Sequence, residues 1–480
     1  MTENDLGERA LVRKIDFFIL SFCCLSYFVN YLDRSNLANA YVSGMRHDLA
    51  FTGDQLNQIN TCFTVGYIIG QIPSNLSLTC IRPRLWFPAM MVLWAGLTIA
   101  TSAAQSPQAI MAIRLFQGAC EASTFVGTHL ILGSWYTPSE LGFRTGIFTA
   151  SGLAGTMIGG FVQTAIHARL DGRRGLAGWR WLFIVDGLVT LPVALYGLAL
   201  FPDTPQTTTA PYLSPDERAL ARARVPDNAD DKPPLTLAFA RRVLSSWQLW
   251  GFVGLWILAG EAESPAANSL LALFMQSHPS KRYSVAQMNN YPAGVSAVGI
   301  VSTLACAALT DRLRGRRQLA GYVAAGAGIV SAGFVLGAAR PPAGPVMTAV
   351  VFAGYYISGA VYATQAVFFA WCNDAMRFEP DAFRAVVLAA MNLGSNAVNA
   401  WWSILFYGAS MAPWFTRGMW AMLGNCIALA VWTAGLARKI ALEERKRRSK
   451  EAGDGSFRRQ EAVISSGVGL GACSHSEDKA

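Results

Sequence analysis

Long apolar runs broken by short polar segments dominate the chain from residue 15 to residue 437. A bilayer-spanning helix needs about 20 mostly apolar residues. Stretches of that kind lie at 15–41, 56–79, 85–105, 107–132, 144–168, 179–201, 247–275, 286–309, 318–339, 345–373, 384–410 and 415–437. Only the turn Gln105-Ser106-Pro107 separates the third from the fourth. The segments of roughly 10 residues with strict alternation that build membrane barrels are not seen. The pattern predicts an all-α polytopic membrane protein with twelve transmembrane helices in two six-helix halves, 15–201 and 247–438. A polar central loop, 202–246, joins them; within it Ser214-Pro215-Asp216-Glu217 has the capping residues of a helix start. Residues 1–14 form a short leading segment, and 439–480 a basic, then Gly/Ser-rich, disordered tail.

Composition sharpens this picture. Hydrophobic residues make up 52% of the 480-residue chain and charged residues only 14%, against about 25% charged in an average soluble domain. Lys and Arg favour the cytoplasmic side of a membrane. Arg9, Arg13 and Lys14, then Arg82 and Arg84, then Arg312, Arg314, Arg316 and Arg317, then Arg377 and Arg384, and finally the tail all fall on one side of a twelve-span plan. The loop with Arg169, Arg173 and Arg174 departs from it. Both termini are expected in the cytoplasm, and the plasma membrane is the expected location. This topology accounts for the net charge of +9, so no nucleic acid is implied as a partner. The nine cysteines form no CxxC pair or Cys/His cluster, which predicts no metal and no cofactor. Without GxSxG or GxxxxGK[ST], the chain does not read as an enzyme or an ATP-driven pump.

The few charges inside apolar stretches are the most informative residues, because each costs about 2.5–3.5 kcal/mol at the bilayer centre on insertion scales. The first span carries Asp33 and Arg34. The fourth carries Arg114 and Glu121, whose spacing of seven puts them on one helix face. An arginine fork can grip a carboxylate, and an acid in a poorly hydrated cavity can carry a proton. A static charge network holding two helices together uses the same residues. Glu261 and Glu263 on the seventh span suggest an aqueous lining, and Asn392, Asn396 and Asn399 make a polar stripe on the eleventh. These asparagines suit interhelical bonding as well as substrate contact. Asp186 is expected to pair with a neighbouring base. Gly152, Gly155, Gly159 and Gly160 suit close helix contact, with a hinge as the alternative. Asp311, Arg312, Arg316 and Arg317, in the loop after the eighth span, read either as a charge latch or as a plain topology signal.

Asn30-Tyr31-Leu32-Asp33-Arg34-Ser35-Asn36-Leu37-Ala38-Asn39 resembles the first span of the anion:cation symporter branch of the major facilitator superfamily. Gly66-Tyr67-Ile68-Ile69-Gly70-Gln71, Gly178-Trp179-Arg180-Trp181-Leu182-Phe183 and Ala400-Trp401-Trp402 extend the likeness, which is strongest to fungal allantoate and pantothenate permeases and runs to about residue 440. The resemblance implies two rocking halves around a site near the bilayer midplane. It also implies proton-coupled symport of a small organic anion, by a protein that works as a monomer. On this basis Asp33 and Glu121 are the proton-coupling acids, and Arg34 and Arg114 serve the substrate, with Glu261, Asn392 and Asn396 as further candidates in its site. The segment Asp311 to Arg317 resembles the superfamily latch, although Arg314 and Gly315 are displaced from its pattern. Gly155-Thr156-Met157-Ile158-Gly159-Gly160 resembles the antiporter motif but has threonine where proline is usual. Proton-antiport efflux of a secondary metabolite is the alternative function, and a nutrient sensor a remoter one.

Overall fold

The computed structural model describes residues 3–224, 237–278, 280–313, 316–339, 345–376 and 379–467. Helices occupy all the stretches that the hydropathy pattern marks. They are α1 (Gly7–Asp48), α2 (Gln55–Cys80), α3 (Pro83–Thr101), α4 (Pro107–Glu121 with Ser123–Trp135), α5 (Pro138–Leu170) and α6 (Gly178–Leu200). The second set is α7 (Trp247–Ala267 with Leu270–Gln276), α8 (Val285–Asn290 with Ala293–Arg312), α9 (Gln318–Ala338), α10 (Pro345–Ala375), α11 (Asp381–Tyr407) and α12 (Thr416–Gly467). Among the described residues, eight helices are long and apolar enough to cross a membrane by themselves, and up to nine if the bent pair containing α7 is one span. The helices α2, α4 and α11 fall outside that set. α4 is broken into segments of 15 and 13 residues, each shorter than a span, and α4 and α11 supply part of the site described below.

The helix starts have local causes. Ser106 caps α4 by accepting the Ala109 amide at 3.3 Å. Thr137 with Glu140, and Ser284 with Gln287, form reciprocal capping boxes that satisfy amides a helix leaves unpaired. In the central loop, Ser214 and Glu217 do the same for the short helix Pro215–Arg224, with bonds of 2.9 and 3.1 Å. That helix is tied down by charge: Lys14 meets Glu217 at 2.7 Å, and Arg224 meets Glu8 at 2.7 Å and Glu140 at 2.6 Å.

Two units of the chain are compact in themselves, Met1–Ala430 and Val431–Ala480. In the larger one, α1 packs on α5 and α6, α2 on α4, α3 on α6, α7 on α11, and α8 on α10. The first six helices share a core that includes Phe22, Phe87, Trp94, Trp135, Phe148 and Phe201. Large apolar side chains such as Leu93, Leu195 and Val301 remain exposed on the helix surfaces, as suits lipid rather than water outside. Glycine permits the closest crossings. A Cβ on Gly118 would fall on the Phe63 carbonyl, and one on Gly66 on that of Leu115, so α2 and α4 touch backbone to backbone. Gly155 meets the Phe28 carbonyl in the same way, which is the close-contact reading of the glycines on α5.

In the smaller unit, α12 continues as helix through Gly467, where the sequence suggests a disordered tail from 439. Lys439 and Lys446 flank Glu443 at 3.1 and 3.5 Å. Such spaced pairs, in a segment rich in Ala, Glu, Lys and Arg, support helix by a few tenths of a kcal/mol each, about 0.2–0.5.

Hydrogen bonds join the first six helices to the last six where α2 begins and α11 ends. Asn57 Nδ2 donates to the carbonyls of Tyr407 at 3.0 Å and Ser403 at 3.4 Å, and its Oδ1 accepts the Ala409 amide at 2.9 Å. Thr61 Oγ1 donates to the Ala400 carbonyl at 2.6 Å, and Asp54 accepts the Ser410 amide at 2.9 Å. Beside them Asn289 Nδ2 donates to Ser43 Oγ at 2.9 Å and Thr164 Oγ1 to Asn290 Oδ1 at 2.7 Å.

Candidate functional site

A cavity of about 160 Å³ lies between the two sets of helices. One water needs about 10–15 Å³ by the same measure, so the space suits a small organic molecule. Tyr27, Asn30, Tyr31, Arg34, Tyr67 and His129 line it from the first set, and Trp256, Glu263, Gln365, Asn392, Asn396 and Asn399 from the second. Its lining mixes polar side chains, four of them asparagines, with aromatic rings, and the polar groups can fix the orientation of a ligand.

Arg34 is the cation of this cavity. Its Nε donates to Glu121 Oε2 at 3.1 Å. Its guanidinium carbon lies 4.8 Å from the Phe63 ring centre, 5.1 Å from that of Tyr67 and 5.4 Å from that of Tyr31. This cage holds the cation without neutralising it. Among the described residues, the two terminal nitrogens of Arg34 have no hydrogen-bond partner in the protein. Its side chain is 30% exposed, whereas that of Glu121 is fully buried.

Behind Arg34 lies a buried polar network. Glu121 also accepts Asn30 Nδ2 at 2.7 Å and Gln117 Nε2 at 3.1 Å. The same Gln117 amide donates to Asp33, so one side chain joins the two acids. Thr98 Oγ1 donates to Asp33 at 2.9 Å. Arg114 Nη2 stands 3.9 Å from the Asp33 carboxylate and donates to the Asp33 carbonyl at 3.2 Å. The four charges on α1 and α4 thus meet, in two pairs: Arg34 with Glu121, and Arg114 with Asp33. The pairs differ in access, because Arg114 is buried and does not line the cavity.

Asp186 corrects one expectation. Its Oδ2 accepts Asn36 Nδ2 at 2.8 Å, and its Oδ1 has no hydrogen-bond partner among the described residues, so it pairs with an amide and with no base. The buried base of the same helix set, Arg114, is turned to Asp33 instead.

On the opposite wall, the two acids of α7 part company. Two residues along a helix is a turn of roughly 200°, so they face different ways. Glu263 lines the cavity and accepts Gln365 Nε2 at 2.7 Å and Thr364 Oγ1 at 3.5 Å. Glu261 is buried away from the cavity and accepts Ser264 Oγ at 3.0 Å. Gln365 and Thr364 follow a 3-10 turn, Gly359–Ala363, that interrupts α10, and α7 breaks at Ser269, where φ is 53°. Both interruptions flank the site, as discontinuous helices do in transporters. Asn392 and Asn396 line the cavity, and Asn396 Nδ2 donates to Asn392 Oδ1 at 3.1 Å. The buried Asn392 Nδ2 has no protein partner among the described residues.

The suggested latch lies apart from this site. Arg317 Nε meets Asp374 at 3.1 Å, and its Nη1 donates to Thr310 Oγ1 at 3.3 Å. Arg312 and Arg316 are exposed. The Asp311 side chain, Arg314 and Gly315 lie outside the described residues. Sequence reasoning missed Gln117, Asn30, Gln365 and Asp374. Of these, Gln117 carried a signal, since it sits three residues after Arg114 and four before Glu121 and so shares their face.

A bilayer-spanning helical chain, with a polar cavity between two six-helix sets and irregular backbone beside it, defines a secondary transporter rather than an enzyme. The chain belongs to the Major Facilitator Superfamily, whose family model matches residues 23–403. The Schizosaccharomyces pombe pantothenate transporter liz1 is 46% identical over 417 residues, covering 87% of this chain and 79% of liz1. The Saccharomyces cerevisiae pantothenate transporter FEN2 is 44% identical over 451 residues, covering 92% and 86% respectively. Among solved structures, a point mutant of the nucleoside transporter NupG superposes with a TM-score of 0.60 at 13% identity, covering 87% of this chain and 99% of NupG. A bacterial homologue of the lysosomal transporter Spinster gives 0.57 at 15%, covering 89% and 96%. These two likenesses speak to the fold.

Proposed function

We propose that this protein carries a small organic carboxylate of the pantothenate type into the cell by proton-coupled symport. The observation that supports this best is Arg34, which lines the cavity and which Glu121 engages through Nε alone. A substrate carboxylate can take its two terminal nitrogens as a bidentate pair. Glu121 competes for the same cation. Protonation of Glu121 frees Arg34 for the anion, and loss of the proton returns Glu121 to Arg34 and expels the anion. Asp33, joined to Glu121 through Gln117, is the second acid in this exchange, and Arg114 holds it in place. Coupling follows because proton and anion favour the same state of the carrier. The pantothenate transporters among its relatives support the substrate class. In this reading both termini are cytoplasmic, the membrane is the plasma membrane, and the two six-helix sets move as the halves 15–201 and 247–438.

The test uses purified protein in liposomes with an inward proton gradient and labelled pantothenate. Gradient-driven accumulation in the wild type is expected, with losses of about tenfold or more in Arg34→Ala and Glu121→Gln, as for removal of a charged hydrogen bond. Absence of accumulation of any carboxylate, with proton-driven export of a preloaded compound instead, overturns the uptake reading in favour of efflux.

A further inference from the structure

The transport scheme above accounts for Arg34 and leaves Glu263 without a role. This acid lines the cavity from α7, on the wall that belongs to the last six helices. It is 8% exposed. Its carboxylate is held by Gln365 and Thr364, both neutral. Among the described residues, no basic group comes within the 4.0 Å of an ion pair. A carboxylate removed from water without a cation is costly, and hydrogen-bond donors relieve that cost. Here the protein supplies Gln365 and a long contact from Thr364, which leaves acceptor capacity on a carboxylate that lines the cavity. Asn392 Nδ2, also buried against the cavity, has no protein partner among the described residues and adds a donor on the same wall.

The cavity is thus bipolar. The wall from the first set presents a caged guanidinium, and the wall from the second an acid with no ion-pair partner among the described residues. We propose that Glu263 is the specificity-determining residue for the end of the substrate remote from its carboxylate, where it accepts hydrogen bonds from hydroxyl or amide N–H groups. Substrates are then monocarboxylates carrying donors at the far end. Plain alkyl carboxylates leave Glu263 unanswered, and dicarboxylates set a second negative charge against it. This inference rests on the reading of Arg34 as the carboxylate site.

The experiment measures competition against labelled pantothenate in proteoliposomes carrying the full-length protein. Two unlabelled ligands are compared: pantothenate, and an analogue of equal length with its hydroxyls replaced by hydrogen. Wild type is expected to prefer pantothenate by about 10- to 100-fold, the range for hydrogen bonds to a charged group. Glu263→Gln, close in shape, is expected to lower that preference by about tenfold, through weaker binding of pantothenate alone. Glu263→Asp, which keeps the charge and withdraws it by one methylene, falls between. Arg34→Gln weakens both ligands in parallel and leaves the preference intact. A preference unchanged in Glu263→Gln, or both ligands weakened equally, overturns the role of Glu263 while leaving the carboxylate reading in place. Wild-type protein that binds neither ligand overturns that reading, and the assignment of Glu263 falls with it.

Discussion

Gln117 is the side chain on which the two buried acids depend. Its single amide nitrogen donates to Asp33 and to Glu121, and it also lies 3.2 Å from Thr98 Oγ1. Replacing it with leucine keeps the volume and removes a donor shared by two carboxylates, each of which then loses a partner in a poorly hydrated place, at about 1–3 kcal/mol. Arg34 keeps its aromatic cage. Gln117→Leu is therefore expected to reduce gradient-driven accumulation about tenfold or more while equilibrium binding of pantothenate changes less than about threefold. Parallel loss of both would show that the amide serves the fold or the binding site, not the coupling. The charges of this network were legible in the sequence because ionised groups are anomalous in lipid-spanning helices. The amides were less so, since Asn and Gln serve equally as glue between helices. Glu261 and Glu263 looked alike for a further reason: α7 is apolar on nearly every side, so no polar face marks which acid meets the cavity.

At the scale of elements, the crossing of α2 and α4 positions half of the site. Arg114, Gln117 and Glu121 reach α1 because Gly66 and Gly118 let the two backbones touch. An added methyl at Gly118 collides with the Phe63 carbonyl and with the Tyr67 amide nitrogen at 2.8 Å, neither of which can turn away as a flexible side chain does. Gly118→Ala is expected to destabilise the protein by about 1–3 kcal/mol, seen as a lower thermal midpoint in detergent and as weakened transport. Gly96, on α3, has nothing within 4 Å of such a methyl. Gly96→Ala, by contrast, is expected to be neutral or stabilising by up to about 1 kcal/mol. Equal midpoints for the two variants would refute the backbone-contact argument. The breaks in α7 and α10 were not foreseen. A hydropathy pattern reports how much of a segment is apolar, and a single turn of 3-10 geometry or one residue at positive φ leaves that average unchanged.

For the whole molecule, the bonds around Asn57 tie the first six helices to the last six. A carrier that alternates must break them, and Asn57 alone makes three. At about 0.5–1.5 kcal/mol net for each bond, Asn57→Ala is expected to favour opening there by about tenfold or more. Labelling of Ser403→Cys by a maleimide reads this out, because Ser403 is buried beside Asn57, which donates to its carbonyl. Faster labelling in the Asn57→Ala background is expected, and an unchanged rate would mean that the clasp does not control access.

Period, length and the scarcity of charge determined the all-helical, twelve-stretch membrane plan by themselves. Each of those properties is local, and the bilayer imposes the same demand on every span. The four charges on α1 and α4 were determined as a group for the same reason, their energetic cost in lipid. Which charges meet, and from which side the cavity reaches them, was decided only by tertiary packing. Arg34 faces the cavity while Arg114 lies buried behind it, and Glu263 faces inward while Glu261 does not. Asp186 is paired with Asn36 in place of a base. These outcomes depend on helix rotation and on crossings between residues tens to hundreds of positions apart, and the order of residues along one helix carries no record of them.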